Sequence, residues 1–212
     1  MAANTSSKRL ESMMDRAEDA LKRSSWFEAE RLSVKALEAA REANDFEFMA
    51  RVTLPLQEAR RQRMLDAIDA TSSVRVMDHV EPEPELKAGM VLIQPPAVAA
   101  DARRLRIAAL QEEIPLLVLT REPETQLGLC PVVAIGGTTI RVRIDGPRTA
   151  KRPTVKWMLG ALEELGDGAI NMIDESKQAT SRVDALLAFL DSTPDHERLH
   201  QELANACREA AE

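Results

Sequence analysis

Apolar and polar positions follow the clearest pattern between Leu116 and Asp145. Continuous apolar runs at 116–119 and 132–135 are bounded by proline, glutamate and glycine, which is typical of buried strands. From 140 to 145 apolar and polar residues alternate strictly, which indicates a strand with one exposed face. Gly136-Gly137 separates the last two runs. It predicts a tight hairpin turn, because glycine takes the positive φ values that such turns require.

A further strand is predicted at Met90–Ile93, and a helix beginning near Asp101 connects it to the strand at Leu116. Strand, helix and strand within about 30 residues indicate a βαβ unit with two parallel strands. With the hairpin, the unit makes a small mixed sheet of four strands. Ligands of open parallel sheets bind beyond the carboxyl ends of the strands, here near Gln94 and Thr120.

Most of the remaining chain has helical periodicity. Two helices over about residues 10–40 form a predicted hairpin, and a third follows to about residue 68. In the last third, Gly166 is expected to end one helix, and Ser192-Thr193-Pro194 to begin the final one. The predicted fold class is therefore mixed α/β, with an N-terminal helical hairpin and third helix before a small sheet that is covered by helices.

Residues 71–88 differ in composition from the segments on either side. Alternating glutamate and proline favour an extended, solvated chain, although Val74 and Val76 also fit one short strand. We therefore predict a helical domain at 1–70, a linker at 71–88, and a small α/β domain with C-terminal helices at 89–212.

Composition and charge exclude some classes of molecule as binding partners of the protein. The net charge is −7 and both halves of the chain are acidic, which argues against nucleic acid as a partner. No segment approaches the roughly 20 apolar residues of a membrane span, and the N-terminus lacks the apolar core of a signal peptide. Cys130 and Cys207 are the only cysteines. Two distant thiols in a chain without a signal peptide predict a reduced, cytoplasmic protein, and the absence of an apolar span predicts no membrane contact. Cys130, at the entrance of a predicted strand, is expected to be a buried and unreactive thiol.

The run Ser24–Ala40 reads SSWFEAERLSVKALEAA. A large residue opens its helix at Trp26, and small residues recur at Ala29 and Ala36, where a second helix must approach closely. This run resembles one tetratricopeptide repeat, a unit of roughly 34 residues. The resemblance implies a surface that binds segments of other proteins, with Trp26, Phe27 and Leu32 as contact candidates. The alternative is that these residues form the core of an ordinary helical hairpin.

His196, Glu197 and His200 form the sequence HExxH. On a helix both histidines would lie on one face, where they could bind zinc while the glutamate activates water. The motif resembles the zincin metalloprotease signature over five residues. The flanking residues are charged, whereas that family has uncharged ones there, and a third ligand must come from elsewhere. The alternative is a packing stripe that His196 begins at its solvent end and that Leu199 and Leu203 continue.

Basic residues cluster around Asp145, at Arg141, Arg143, Arg148, Lys151, Arg152 and Lys156. Arg141 and Arg143 share the exposed face of one predicted strand, and Arg121 ends another. These three arginines are candidate contacts for an anion or another small ligand. A solvated strand face explains Arg141 and Arg143 equally.

The leading functional hypothesis is a non-enzymatic cytoplasmic adaptor that binds another protein. The alternatives are a zinc-dependent hydrolase that uses His196, Glu197 and His200, and an α/β module that binds a small ligand.

Overall fold

A computed structural model describes residues 2–149 and 151–212, with side chains from residue 8 onward. The fold is mixed α/β, as predicted. In chain order the described elements are α1 (Ala2–Lys22), α2 (Trp26–Ala43), α3 (Phe46–Asp69), β1 (Val74–Met77), β2 (Gly89–Ile93), α4 (Ala99–Gln111), β3 (Leu116–Arg121), β4 (Leu129–Ile135), β5 (Thr139–Asp145), α5 (Val155–Ile170), α6 (Ala179–Ser192) and α7 (Glu197–Ala211).

The sheet has the strand order β1-β2-β3-β4-β5. The first three strands are parallel, and β3, β4 and β5 pair antiparallel. The βαβ unit and the hairpin are therefore confirmed, but the prediction of four strands is wrong by one. The additional strand is β1, which lies in the predicted linker. Val74 of β1 is buried and pairs with Met90 of β2. The strand therefore follows from the apolar alternation at Val74 and Val76, and the later glutamates and prolines do not prevent it.

Helices cover both faces of the sheet. Ala102 and Leu105 of α4 pack on the face that carries Val91 and Ile93. Strand register places Val142 of β5 on the opposite face, and α5 packs there with Gly168 against it. Burial on both faces explains why β2 reads as a continuous apolar run.

The N-terminal helices form the predicted hairpin, and both are longer than the sequence indicated. Ala17 and Ala20 of α1 are buried against Ala29 and Leu32 of α2, and Ala59 of α3 completes this cluster. Small side chains let the helix axes approach closely, which is the role predicted for Ala29. A three-residue turn with Ser24 at φ 58° joins the two helices.

The described contacts divide the chain into two compact units. The first unit extends to Gln62 and also contains Ile173–Leu187 and Glu197–Glu212. The second contains Arg63–Met172 and Ala188–His196. The predicted linker at 71–88 lies inside the second unit, and the C-terminal helices contribute to both.

Three local predictions were wrong. Gly136 and Gly137 do not have positive φ, and Gly166 lies inside α5 rather than at its end. Each of these glycines lies against another segment of the second unit. Ser192 is the last residue of α6 and Thr193 follows it directly, with its hydroxyl donating to the carbonyl of Phe189. The final helix begins later, at Glu197.

No helix in the described part of the chain combines the length and the apolar character needed to cross a membrane.

Candidate functional site

A groove lies on the first unit between α1, α3 and α7, and its volume is about 740 Å³. We call it the α1/α3/α7 groove. It is lined by Met14, Glu18, Glu47, Ala50, Arg51, Thr53, Leu54, Pro55, Gln57, Gln201, Ala204, Asn205 and Arg208.

Leu54 is the main apolar feature of this groove, because 70% of its surface is exposed. Its neighbours Val52, Thr53 and Leu56 are buried, so α3 turns one face to the core and presents Leu54 to solvent. Pro55 has no N–H, which removes the helical hydrogen bond to the carbonyl four residues earlier, at Arg51. The groove is therefore lined by an exposed aliphatic side chain and by a proline that interrupts the hydrogen bonding of its helix.

Charged side chains of both signs surround Leu54. Glu18 and Glu47 are acidic, and Arg51 and Arg208 are basic. Arg51 donates to both carboxylate oxygens of Glu11, at 2.6 and 2.9 Å, and this hydrogen bonding raises the pKa of Arg51. The lining is therefore amphipathic.

The contact residues predicted from the repeat resemblance lie on α2, outside this groove. Trp26 and Phe27 are half-buried at the beginning of the helix. Leu32 is only 8% exposed and packs in the hairpin cluster. Leu32 is therefore a core residue rather than a contact residue, because its side chain already fills space between helices.

The two histidines of the HExxH sequence contact different side chains. His196 precedes α7, is buried rather than at a solvent end, and directs Nε2 toward Glu163 and Asp167 of the second unit. His200 lies within α7, and its Nε2 is 3.3 Å from Nη1 of Arg60. An arginine only donates hydrogen bonds, so the lone pair of that nitrogen is already used. The described structure therefore does not assemble a zincin site from His196, Glu197 and His200.

Glu163, Asp167 and His196 instead form a cluster of three potential metal ligands within the second unit, the Glu163/Asp167/His196 cluster. One ligand atom from each residue lies within 4.8 Å of the other two. Sequence reasoning missed this cluster. Its only sequence signal is the spacing of Glu163, Gly166 and Asp167 along one helix face, and the histidine follows much later in the chain.

The three candidate anion-binding arginines do not come together. Arg141 forms two hydrogen bonds to Glu122, at 3.0 and 2.7 Å, which raise the pKa of the guanidinium. Arg143 is exposed on the same face of β5. Strand register places Arg121 on the opposite face, where it donates to Gln94 at the end of β2.

Part of the basic segment instead lines a cavity of about 750 Å³ at the beginning of α5. Arg148, Arg152 and Lys156 contribute to it, as does Trp157, whose indole N–H donates to the carbonyl of Asp145 at 2.9 Å. At the strand ends near Gln94 and Thr120, where a ligand site was predicted, the side chain of Thr120 is buried.

Both thiols are buried, as was predicted for Cys130. Desolvation raises the pKa of Cys130, and it raises the pKa of Cys207 to about 12. A thiol that holds its proton this firmly is a poor nucleophile and a poor metal ligand at neutral pH.

Comparisons with protein families, curated proteins and solved structures find no match for this chain.

Proposed function

We propose that the protein is a non-enzymatic interaction module whose α1/α3/α7 groove binds an amphipathic segment of another protein. The observation that carries this proposal is the exposure of Leu54 beside Pro55 on the groove surface. Full burial of a leucine side chain contributes about 1.5–3 kcal/mol, so an exposed leucine in a concave site is a strong potential contact.

The dimensions and chemistry of the groove favour a short helical or extended segment. A volume of about 740 Å³ holds several side chains. Apolar anchors on the segment would contact Leu54, Ala50 and Met14, and charged residues beside those anchors would meet Glu18 and Arg208. This is the helix-in-groove mode of recognition, in which few apolar anchors supply affinity and the charged rim supplies orientation.

The likeness of the hairpin to a tetratricopeptide repeat supports the same class of function, because helical hairpins of that kind bind protein segments. In this proposal the contact lies on α3 and α7 rather than on Trp26. Trp26→Ala therefore separates the two surfaces: it should leave partner binding intact if the α1/α3/α7 groove is the site.

The test compares two leucines of similar exposure. Leu54 lines the groove, and Leu127, which is 86% exposed, lies between β3 and β4. We expect Leu54→Glu to weaken binding of the partner at least about tenfold, because a carboxylate cannot be buried against apolar anchors and 1.4 kcal/mol is a factor of ten. Leu127→Glu should leave binding unchanged.

The measurement is quantitative capture of partners from a native lysate of the source cells, followed by calorimetry with the identified partner. Both variants should have the wild-type melting temperature, because both side chains are exposed. Equal binding by Leu54→Glu and Leu127→Glu would overturn the proposal.

A further inference from the structure

We propose that Glu163, Asp167 and His196 bind a divalent transition-metal ion of the zinc class. The proposal is independent of the α1/α3/α7 groove, since these residues belong to the second unit. It retains His196 of the HExxH sequence but replaces Glu197 and His200 with two carboxylates of α5.

The distances in the cluster fit a metal polyhedron. Nε2 of His196 lies 3.4 Å from Oε1 of Glu163 and 3.6 Å from Oδ1 of Asp167. Both separations exceed the 2.7–3.2 Å of an ordinary N–H···O hydrogen bond. Ligands that are about 2.0–2.2 Å from a tetrahedral zinc ion lie roughly 3.3–3.6 Å from one another. The two distances from the imidazole nitrogen therefore match the spacing of zinc ligands, and the two carboxylate oxygens lie within 4.8 Å of each other.

The fold holds the imidazole in place. Only 2% of the His196 side chain is exposed, and its ring lies directly on the backbone of α5 at Gly166. A Cβ atom at position 166 would be 2.0 Å from Cγ of the ring, so only glycine permits this packing. Glu163 and Asp167 are one turn apart and flank the same position. A buried nitrogen is thus directed at two carboxylates from a fixed position, which reduces the entropy lost when a metal binds.

The composition of the cluster determines which ion it would take. Imidazole suits zinc and its transition-metal neighbours, whereas Mg²⁺ and Ca²⁺ favour oxygen ligands in larger number. Three protein ligands leave one tetrahedral position for water. Glu163 and Asp167 are both partly exposed, so an ion can enter from solvent.

The competing interpretation is an ion pair between a protonated His196 and the two carboxylates. Both interpretations explain the proximity of the groups, but only the metal site predicts saturable binding of an ion. The two are distinguished by titrating the intact chain, after treatment with a chelator, with Zn²⁺ and with Mg²⁺ in an isothermal calorimeter.

We expect one Zn²⁺ per chain and no saturable binding of Mg²⁺. Glu163→Gln and Asp167→Asn should each weaken Zn²⁺ binding at least about 100-fold, because removal of even an outer-sphere partner of a metal ligand costs 10–100-fold in affinity. Glu164→Gln is the matched control, since Glu164 is the next carboxylate on α5 and lies outside the cluster. It should bind Zn²⁺ like the wild type.

Circular dichroism checks that each variant is folded, and partly exposed carboxylates should be replaceable without loss of structure. Zn²⁺ should also raise the melting temperature of the wild type but not of Asp167→Asn, since an ion that binds only the folded state stabilises it. Absence of saturable Zn²⁺ binding to the wild type, or undiminished binding by either ligand variant, would overturn the proposal.

Discussion

Arg60 is a buried charged residue of the first unit. Its guanidinium donates to Glu30 of α2 at 2.8 Å and to His200 of α7 at 3.3 Å. The side chains of Arg60 and Glu30 are only about a tenth exposed. The Arg60 guanidinium therefore links α3 to α2 and α7. Its loss would leave the buried carboxylate of Glu30 without this partner.

We expect Arg60→Leu to lower the free energy of unfolding by about 3–5 kcal/mol, which is the usual cost of removing one partner of a buried ion pair. Arg61→Leu is the control, because Arg61 pairs with Glu58 on the exposed side of the same helix. It should change stability little. Urea denaturation measures both values, and similar losses in the two variants would contradict the structural role of Arg60.

The burial of Cys207 can be tested by the rate at which its thiol is alkylated. Its pKa of about 12 lies above that of a free thiol, so at pH 8 the thiolate fraction is lower by roughly a thousandfold. Because the thiolate is the reactive form, raising the pH toward 12 should accelerate alkylation. We expect iodoacetamide to modify Cys207 rapidly in urea and very slowly in the native protein, as measured by mass spectrometry. Native modification at the rate of a free thiol would show that the residue is accessible.

Among the structural elements, the β4–β5 turn depends on close packing. Gly136 lies against the backbone of Asp191 and Ser192, and Ser192 Oγ donates to the carbonyl of Thr138 at 2.7 Å. Arg106 of α4 donates to the carbonyl of Asp191 at 2.7 Å. The end of α6 is therefore held between the turn and α4.

Gly136→Ala should lower the free energy of unfolding by about 1–3 kcal/mol, because the new Cβ would lie 2.5 Å from backbone atoms that cannot rotate away. Gly160→Ala is the matched control. It lies inside α5 with no atom within 4 Å of the added methyl group, so it should stabilise the helix by about 0.5–1 kcal/mol. Opposite signs in thermal denaturation are the expected result, and a neutral Gly136→Ala would contradict the close packing.

These elements also show how far sequence reasoning extends. Continuous apolar runs and one alternating segment located four strands correctly, and the alternation identified the buried face of β5, because those signals are local. The roles of Gly136 and Gly166 were assigned wrongly, since their neighbours, Ser192 and His196, are distant in sequence. The Glu163/Asp167/His196 cluster was missed for the same reason. The residues on either side of a position in the sequence do not show which distant residue it contacts in the folded state.

At the scale of the whole molecule, domain boundaries were the least accessible feature. Composition placed a linker at 71–88, yet each compact unit draws on separated parts of the chain. Local composition indicates whether a segment is solvated, but it does not indicate which distant helix packs on that segment. The α1/α3/α7 groove depends on long-range packing of this kind, since α7 supplies one of its walls.

The order of the segments also has a consequence for synthesis. The first unit begins at the N-terminus, but its last helix, α7, ends near the C-terminus. At translation rates of about 5–20 residues per second, roughly 8–30 s separate the emergence of Gln62 from that of Glu212. During this interval the nascent hairpin lacks the helix that supplies His200 and Leu203. The apolar surface of the N-terminal helices that α7 covers therefore stays exposed until the chain has been synthesised through that helix.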